Sequence, residues 1–274
     1  MDLRAASTSV TEIAWRGGRF SHGQREVPGE APVSLTYDGS AYAVMMATPS
    51  DLADFAVGFS LAEDIVDAPS DIESLEIIEV DGGVEVRMWL KSHISQRLRG
   101  KRRSILGPTG CGLCGVDSIA EAIKPVAQVE SDVTIGPEEL VDAMAQLTAL
   151  QKLHVTTRAV HAAGLWLEGR TMIVREDVGR HNALDKLAGA AATGNISARN
   201  GIVLLTSRVS VELVQKTARL GAPIIAAISA PTSLAIQTAE AARIALIAVM
   251  RGDSFEIFTQ PQRIISKVHA DVVA

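Results

Sequence analysis

The sequence predicts an α/β protein built on a largely parallel sheet with helices on both faces. Two observations carry that prediction. In the last hundred residues, short apolar runs at 172–174, 202–205, 224–228 and 244–250 alternate with amphipathic stretches of helical period. Those runs are continuously apolar, as strands covered on both faces require. The bulk numbers agree: 274 residues can form one large domain or two lobes. Hydrophobic residues make up 47% but aromatics only 4%, so alanine, valine, leucine and isoleucine must fill the core.

Taken in order, residues 1–25 show no periodic apolar pattern and are expected to form a flexible N-terminus. Alternation at Val33, Leu35 and Tyr37 and then over 41–46 predicts a β-hairpin turning at Asp38-Gly39. Thr48-Pro49-Ser50-Asp51 has the layout of a helix start, with an N-cap, proline at N1 and an acid at N3. That helix would turn Leu52, Phe55, Ala56, Phe59 and Leu61 inward and end near Val66. Residues 76–80 and 84–90 read as two strands around Asp81-Gly82-Gly83. A helix is expected at 117–123. After a Pro/Gly-marked junction at 131–137, another is expected at about 138–153. Then follow strand 172–174, helix 183–192, strand 202–205 and helix 211–220, with Gly221 at its C′ position. Strand 224–228, a helix running to about 243 and strand 244–250, ending at Arg251-Gly252, complete the pattern. The organisation expected is a smaller N-terminal α+β lobe over about 26–130 and an α/β core over about 131–274.

No apolar run approaches the roughly 18–20 residues that cross a bilayer, and Met1-Asp2-Leu3-Arg4 lacks the layout of a signal peptide. A cytoplasmic protein with no membrane partner is expected. The formal net charge of −6 argues against nucleic-acid binding. Locally the balance reverses: Arg97, Arg99, Lys101, Arg102 and Arg103 have no acid among them. Such a run is either a solvated face or a device that favours thiolate and holds an anion, because it lies just before the chain's two cysteines.

Those cysteines sit in Gly110-Cys111-Gly112-Leu113-Cys114-Gly115, inside a loop over 107–116. Flanking glycines widen the accessible backbone space, and a thiol there gains little from packing. Chemistry on sulfur is the simplest reason for the pair. A structural zinc site needs four ligands, and one pair stands alone, so no metal is expected. A thioredoxin-like dithiol would open a helix after a first strand, whereas this one is internal.

In a parallel sheet the carboxyl ends of the strands share one edge, where ligands bind. The predicted strand ends collect there Asp177 with Arg180, His181 and Asn182, then Thr206-Ser207-Arg208 with Ser210, then Thr232-Ser233, then Arg251-Gly252-Asp253. Hydroxyls and helix N-termini joined by arginines suit phosphate. Ser210, Thr232 and Ser233 also serve as helix caps, but capping leaves the arginines at three of the four turns unexplained. His181 reads as a base, a phosphate donor or a hydrogen-bonded turn residue, and His161 equally as a buried or a site histidine.

The stretch from Val174 to Lys186 (Val-Arg-Glu-Asp-Val-Gly-Arg-His-Asn-Ala-Leu-Asp-Lys) resembles the signature of the formate dehydrogenase accessory sulfurtransferases of FdhD/NarQ type. So do Cys111-Gly-Leu-Cys114-Gly, Val160-His161-Ala162-Ala163, 212–216 and 229–235, in matching order from about Pro28 to Arg263. The resemblance implies a sulfur carrier that accepts persulfide sulfur from an L-cysteine desulfurase. It would pass that sulfur to the bis-molybdopterin guanine dinucleotide molybdenum cofactor of formate dehydrogenase. It also implies a cytidine-deaminase-like three-layer α/β/α core and a homodimer, with guanine nucleotide such as GDP as a mimic of the cofactor. By position Cys111 is the persulfide cysteine, with Cys114 beside it, and Val249, Met250, Arg251, Gly252, Asp253 and Ser254 form the cofactor-binding segment. Arg158 stands where the family has glycine, and Val249 where it commonly has an aromatic. The deaminase signature of His-x-Glu with Pro-Cys-x-x-Cys is missing, so deamination is not expected. Two other classes fit the same residues: a dithiol oxidoreductase, and a non-catalytic chaperone for molybdenum cofactor.

Overall fold

A computed structural model describes residues 5–103 and 126–265. The cysteine loop at 107–116 and the helix expected at 117–123 lie outside the described residues. No helix among the described residues is long and apolar enough to cross a membrane.

The chain opens with a two-stranded hairpin, β1 (Ser7–Arg16) and β2 (Arg19–Pro28). Residues 7–25, part of the stretch expected to fray, thus lie within a hairpin. Its apolar residues are too few and too exposed to give a core-facing pattern, so the alternation that betrays a half-buried strand is missing. A four-stranded sheet follows, in the order β4-β3-β6-β5. It comprises β3 (Ala31–Tyr37), β4 (Ser40–Ala47), β5 (Ile72–Val80) and β6 (Gly83–Leu90). The β3–β4 turn at Asp38-Gly39 is as expected, with both residues at positive φ. One face of this sheet, carrying Val33, Leu35, Val84, Val86 and Met88, packs on α1 (Leu52–Ala62) and α2 (Ser92–Arg103). The basic run thus lies at the end of a helix.

Helix α1 does not begin as its sequence suggests. Its N-cap is Asp51 in the left-handed region, and no side chain caps it. Thr48 points elsewhere, for a reason given below.

The second sheet has six strands in the order β12-β11-β10-β9-β7-β8. They are β7 (His161–Trp166), β8 (Ile173–Asp177), β9 (Ile202–Leu205), β10 (Ile224–Ala227), β11 (Ala245–Arg251) and β12 (Ser254–Ile257). Strands β9, β10 and β11 are parallel. Strand β7 runs antiparallel to both β8 and β9, so β8 points the same way as β9. The expectation of a largely parallel sheet is thus modified by antiparallel β7 and a terminal antiparallel β12. Strands β7 and β8, like β11 and β12, follow one another with no helix between them, as antiparallel neighbours can. Asp177, Leu205, Ala227 and Arg251 still end on one edge, and His161 pairs with Asp177 there.

Helices α5 (Arg180–Thr193), α6 (Val211–Leu220) and α7 (Ser233–Ala241) cover one face through Leu184, Leu187, Leu213, Val214, Ala235 and Ala239. Helix α3 (Pro137–Leu150) covers the other through Leu140, Ala143, Met144 and Leu147. The helix expected over 138–153 is in fact α3 followed by a separate short α4 (Lys152–Thr157). The result is a three-layer α/β/α core.

The two sheets are joined where α1 crosses α5. A Cβ on Gly58 would stand 1.7 Å from the Asp185 carbonyl oxygen, and one on Gly189 would stand 1.9 Å from that of Asp54. Only glycine lets two helix backbones approach so closely.

Candidate functional site

The residues of the long signature first build the sheet edge. Asp177 and Lys186 form an ion pair at 2.7 Å, and both side chains are fully buried. Burying two charges costs several kcal/mol each unless every remaining polar atom is satisfied, and here they are. Asp177 also accepts from the backbone N–H groups of Thr48 (3.0 Å) and Gly179 (2.7 Å) and from Asn182 Nδ2 (3.0 Å). Lys186 Nζ donates to the Thr48 carbonyl at 2.8 Å, and Asn182 Nδ2 donates to the Met46 carbonyl at 2.9 Å. The Thr48 hydroxyl accepts from Val178 N–H at 3.1 Å. Thr48 is therefore a clamp between the two sheets, which is why it does not cap α1. Asp177 and Asn182, expected to face a ligand, are buried inside this latch.

Neighbouring signature residues extend it. Glu176 accepts from the Leu153 and His154 N–H groups, both at 2.8 Å, and so caps α4. Arg175 pairs with Asp54 at 2.7 Å. Asp185 meets Lys216 at 2.6 Å, and burial raises its pKa to about 6 against the opposing pull of that lysine.

Above the latch lies a polar surface at the carboxyl edge. Helices α5, α6 and α7 all begin there, capped at Gly179, Ser210 and Thr232. Only Thr232 caps with its side chain, accepting from Ala235 N–H at 3.2 Å. The Ser210 hydroxyl instead lies 3.3 Å from His181 Nε2, which is 3.6 Å from Glu212. Burial lowers the His181 pKa to about 4, reinforced by Arg180 and Lys216, so its ring is neutral near pH 7. His161 is likewise lowered, by burial and then by Arg180. Both imidazoles are therefore neutral near pH 7. Arg208, Thr232, Ser233, Arg251, Gly252, Asp253 and Ser254 are exposed. Arg180 is half-buried, and its Nε is enclosed with no acceptor among the described residues. An enclosed guanidinium N–H without an acceptor suits an anionic ligand.

The segment 249–254 is the end of β11 and its turn into β12. A register shift between Ala248 and Arg251 marks a β-bulge. It buries Met250 and leaves Arg251 exposed on the edge. Val249 sits in the bulge at φ 55°, a left-handed conformation that a β-branched residue rarely adopts. Arg158, the other departure from the family pattern, ends α4 at φ 60° as its left-handed cap. Glycine is the residue such a cap favours, which fits the glycine that the resemblance sets at this position. Arg158→Gly is accordingly expected to stabilise the protein by about 1 kcal/mol, read as a raised midpoint in urea unfolding. A lowered midpoint would show that the arginine side chain compensates for its own strain.

The FdhD/NarQ family profile matches residues 28–265. The chain belongs to the FdhD/NarQ family. A sulfur carrier protein FdhD from Agrobacterium fabrum is 49% identical over 267 residues, covering 97% of this chain and 98% of that one. A second, from Cupriavidus necator, is 46% identical over 252 residues, covering 91% and 87%. A solved structure of a candidate formate dehydrogenase accessory protein from Desulfotalea psychrophila superposes with a TM-score of 0.73 at 25% identity, covering 95% of this chain and all of that one. Sulfur carriage is thus the chain's general activity. Against this background the FdhD/NarQ signature is mainly architectural: it ties the four-stranded sheet to the core and leaves Arg180 and His181 at the surface. From the sequence Thr48 reads only as a helix cap, and Lys186, Glu212 and Lys216 only as members of the matching motifs, with no role assigned at this edge. A buried lysine inside an otherwise apolar helix stretch, at Leu184-Asp185-Lys186-Leu187, was the signal available for one of them.

Proposed function

We propose that this sulfur carrier holds its cargo as a persulfide on Cys111 and delivers it to a bis-molybdopterin guanine dinucleotide molybdenum cofactor destined for formate dehydrogenase. The thiolate of Cys111 attacks the outer sulfur of a persulfide on an L-cysteine desulfurase. The donor's S–S bond breaks, its thiolate leaves, and Cys111 carries the S–SH group with its proton. Basic residues at the end of α2, shortly before Cys111 in the chain, favour the thiolate. Cys114 offers a second route: its thiolate attacks the inner sulfur of the Cys111 persulfide, forming a disulfide and releasing hydrosulfide. Donor, client enzyme and a homodimeric carrier all follow from the family reading.

The observation that carries the cofactor part is the convergence of three helix N-termini with Arg180, Arg208 and Arg251 on one sheet edge. Peptide N–H groups and guanidinium forks are suited to a diphosphate, so these residues fit the guanosine diphosphate arms of such a cofactor. The cofactor supplies the molybdenum that receives the sulfur. The protein's own share is to hold the arms, keep the two histidines neutral and exclude competing charge. A charge-assisted contact from arginine is worth about 1.5–3 kcal/mol, so Arg251→Ala is expected to weaken GDP binding about tenfold or more. Calorimetry with GDP on wild type and variant measures this. Equal affinities would move the site away from the β11–β12 turn. No binding by wild type would favour dithiol oxidoreductase chemistry.

A further inference from the structure

In the motif at 212–216, Glu212 is accounted for by neither the latch nor the diphosphate contacts. Leu213 and Val214 are buried in the core, and Lys216 gives its ammonium to both Asp185 carboxylate oxygens at 2.6 Å. Glu212 stands in the first turn of α6 with its side chain 33% exposed. An acid suits the start of a helix, but this one stands on an edge otherwise built for anions.

The loops set it in the middle of that edge. Val209 N–H donates to the Ala230 carbonyl at 3.3 Å and Thr232 N–H to the Val209 carbonyl at 3.0 Å, so the turns before α6 and α7 are stitched together. Val249 N–H donates to the Ser229 carbonyl at 3.4 Å, which brings the β11–β12 segment alongside. From α5, the His181 Nε2 atom lies 3.6 Å from Glu212 Oε2. Arg208, Arg251 and Arg180 each flank one of these junctions.

The carboxylate is kept charged without a cation of its own. Burial pushes its pKa up, but the Ser210 hydroxyl, the Glu212 N–H, His181 and Arg180 outweigh burial and hold it below the usual carboxylate range. Among the described residues no lysine or arginine forms an ion pair with it. Two carboxylate oxygens have about four acceptor sites, so capacity remains for donors on a ligand. Guanine offers two donors side by side, N1–H and the 2-amino group. Hypoxanthine keeps N1–H and lacks the amino group. Adenine turns an unprotonated ring nitrogen toward the carboxylate, so that lone pairs face lone pairs.

We propose that Glu212 selects guanine on the nucleotide arm held at this edge, its carboxylate accepting from N1–H and the 2-amino group. The proposal rests on the diphosphate reading above and adds the group that reads the base. Arginines and helix N-termini hold any nucleoside diphosphate alike, whereas a fixed carboxylate rejects a base that lacks the matching donors.

Calorimetry on the full chain with GDP, IDP and ADP tests it. Wild type is expected to bind GDP about tenfold or more tighter than IDP or ADP, the effect of losing one charge-assisted hydrogen bond. Glu212→Gln should weaken GDP about tenfold and leave ADP binding equal or tighter. Glu212→Asp keeps the charge that favours the start of α6 but draws it back, so it should stay folded and lose the GDP preference as well. Arg251→Ala, by contrast, should weaken all three nucleotides by the same factor and preserve their ratios. Thermal melts report folding, and an acid with a merely structural role would shift the melt and leave the ratios untouched. An unchanged GDP to ADP ratio in the Glu212 variants overturns the proposal. So does equal binding of the three nucleotides by wild type, in which case the edge holds a diphosphate without reading its base. Absence of binding by all three removes the diphosphate reading itself, and this proposal with it.

Discussion

Cys111→Ala is expected to abolish maturation of formate dehydrogenase while changing stability by no more than about 0.5 kcal/mol, as for substitutions outside a packed core. The motivation is the sequence Gly110-Cys111-Gly112, whose flanking glycines predict a side chain with little packing to lose. Two measurements separate the parts of the claim. Formate dehydrogenase activity in cells carrying the variant tests the requirement for the thiol. The intact mass of purified protein, after incubation with a cysteine desulfurase and L-cysteine, tests the cargo. Wild type should gain the mass of one sulfur atom and Cys111→Ala should not. A variant that still supports normal activity would sink sulfur carriage by this residue. If Cys114→Ala also abolishes activity yet acquires the added sulfur, the second thiol acts in release and not in loading.

The α/β core was legible because its strands are buried on both faces and so appear as unbroken apolar runs. Residues 202–205 and 211–220 coincide with β9 and α6, and Gly221 adopts the left-handed cap at φ 80°. Strand direction was not legible: Gly164 and its neighbours in β7 give no sign that the strand reverses between β8 and β9. The N-terminal hairpin escaped notice because Trp15 and Phe20 pack on each other and not on a core. Thr48 misled for a different reason. Its spacing to Asp51 satisfies a local capping rule, but its three polar groups are taken by Asp177, Lys186 and Val178. Tertiary bonds to a buried charge pair outweigh a cap worth about 1 kcal/mol. Arg97, expected to act near the cysteines, is held by Asp67 at 2.7 Å and the Ile65 carbonyl at 3.0 Å, whereas Arg99 is exposed.

The same latch sets the largest stability effect. Asp177→Ala is expected to cost about 3–5 kcal/mol, the range for breaking a buried ion pair, and to lower the melting temperature by roughly 10 °C. It strands the Lys186 ammonium between two carbonyls and orphans the N–H groups of Thr48 and Gly179 together with Asn182 Nδ2. Lys186→Met should cost less, because the Asp177 carboxylate keeps those three donors. The order of the two effects therefore tests the geometry, and thermal melts of both variants measure it. A loss under about 1 kcal/mol in Asp177→Ala would show that the pair is dispensable. GDP affinity of Lys186→Met, taken well below its melting point, then separates the roles proposed for this edge. Unchanged affinity means that the signature's buried half only holds the two sheets together, and that Arg180, His181 and the exposed turns do the binding. A tenfold loss would mean that the position of Thr48 and the start of α5, fixed by this lysine, is itself part of how the nucleotide is held.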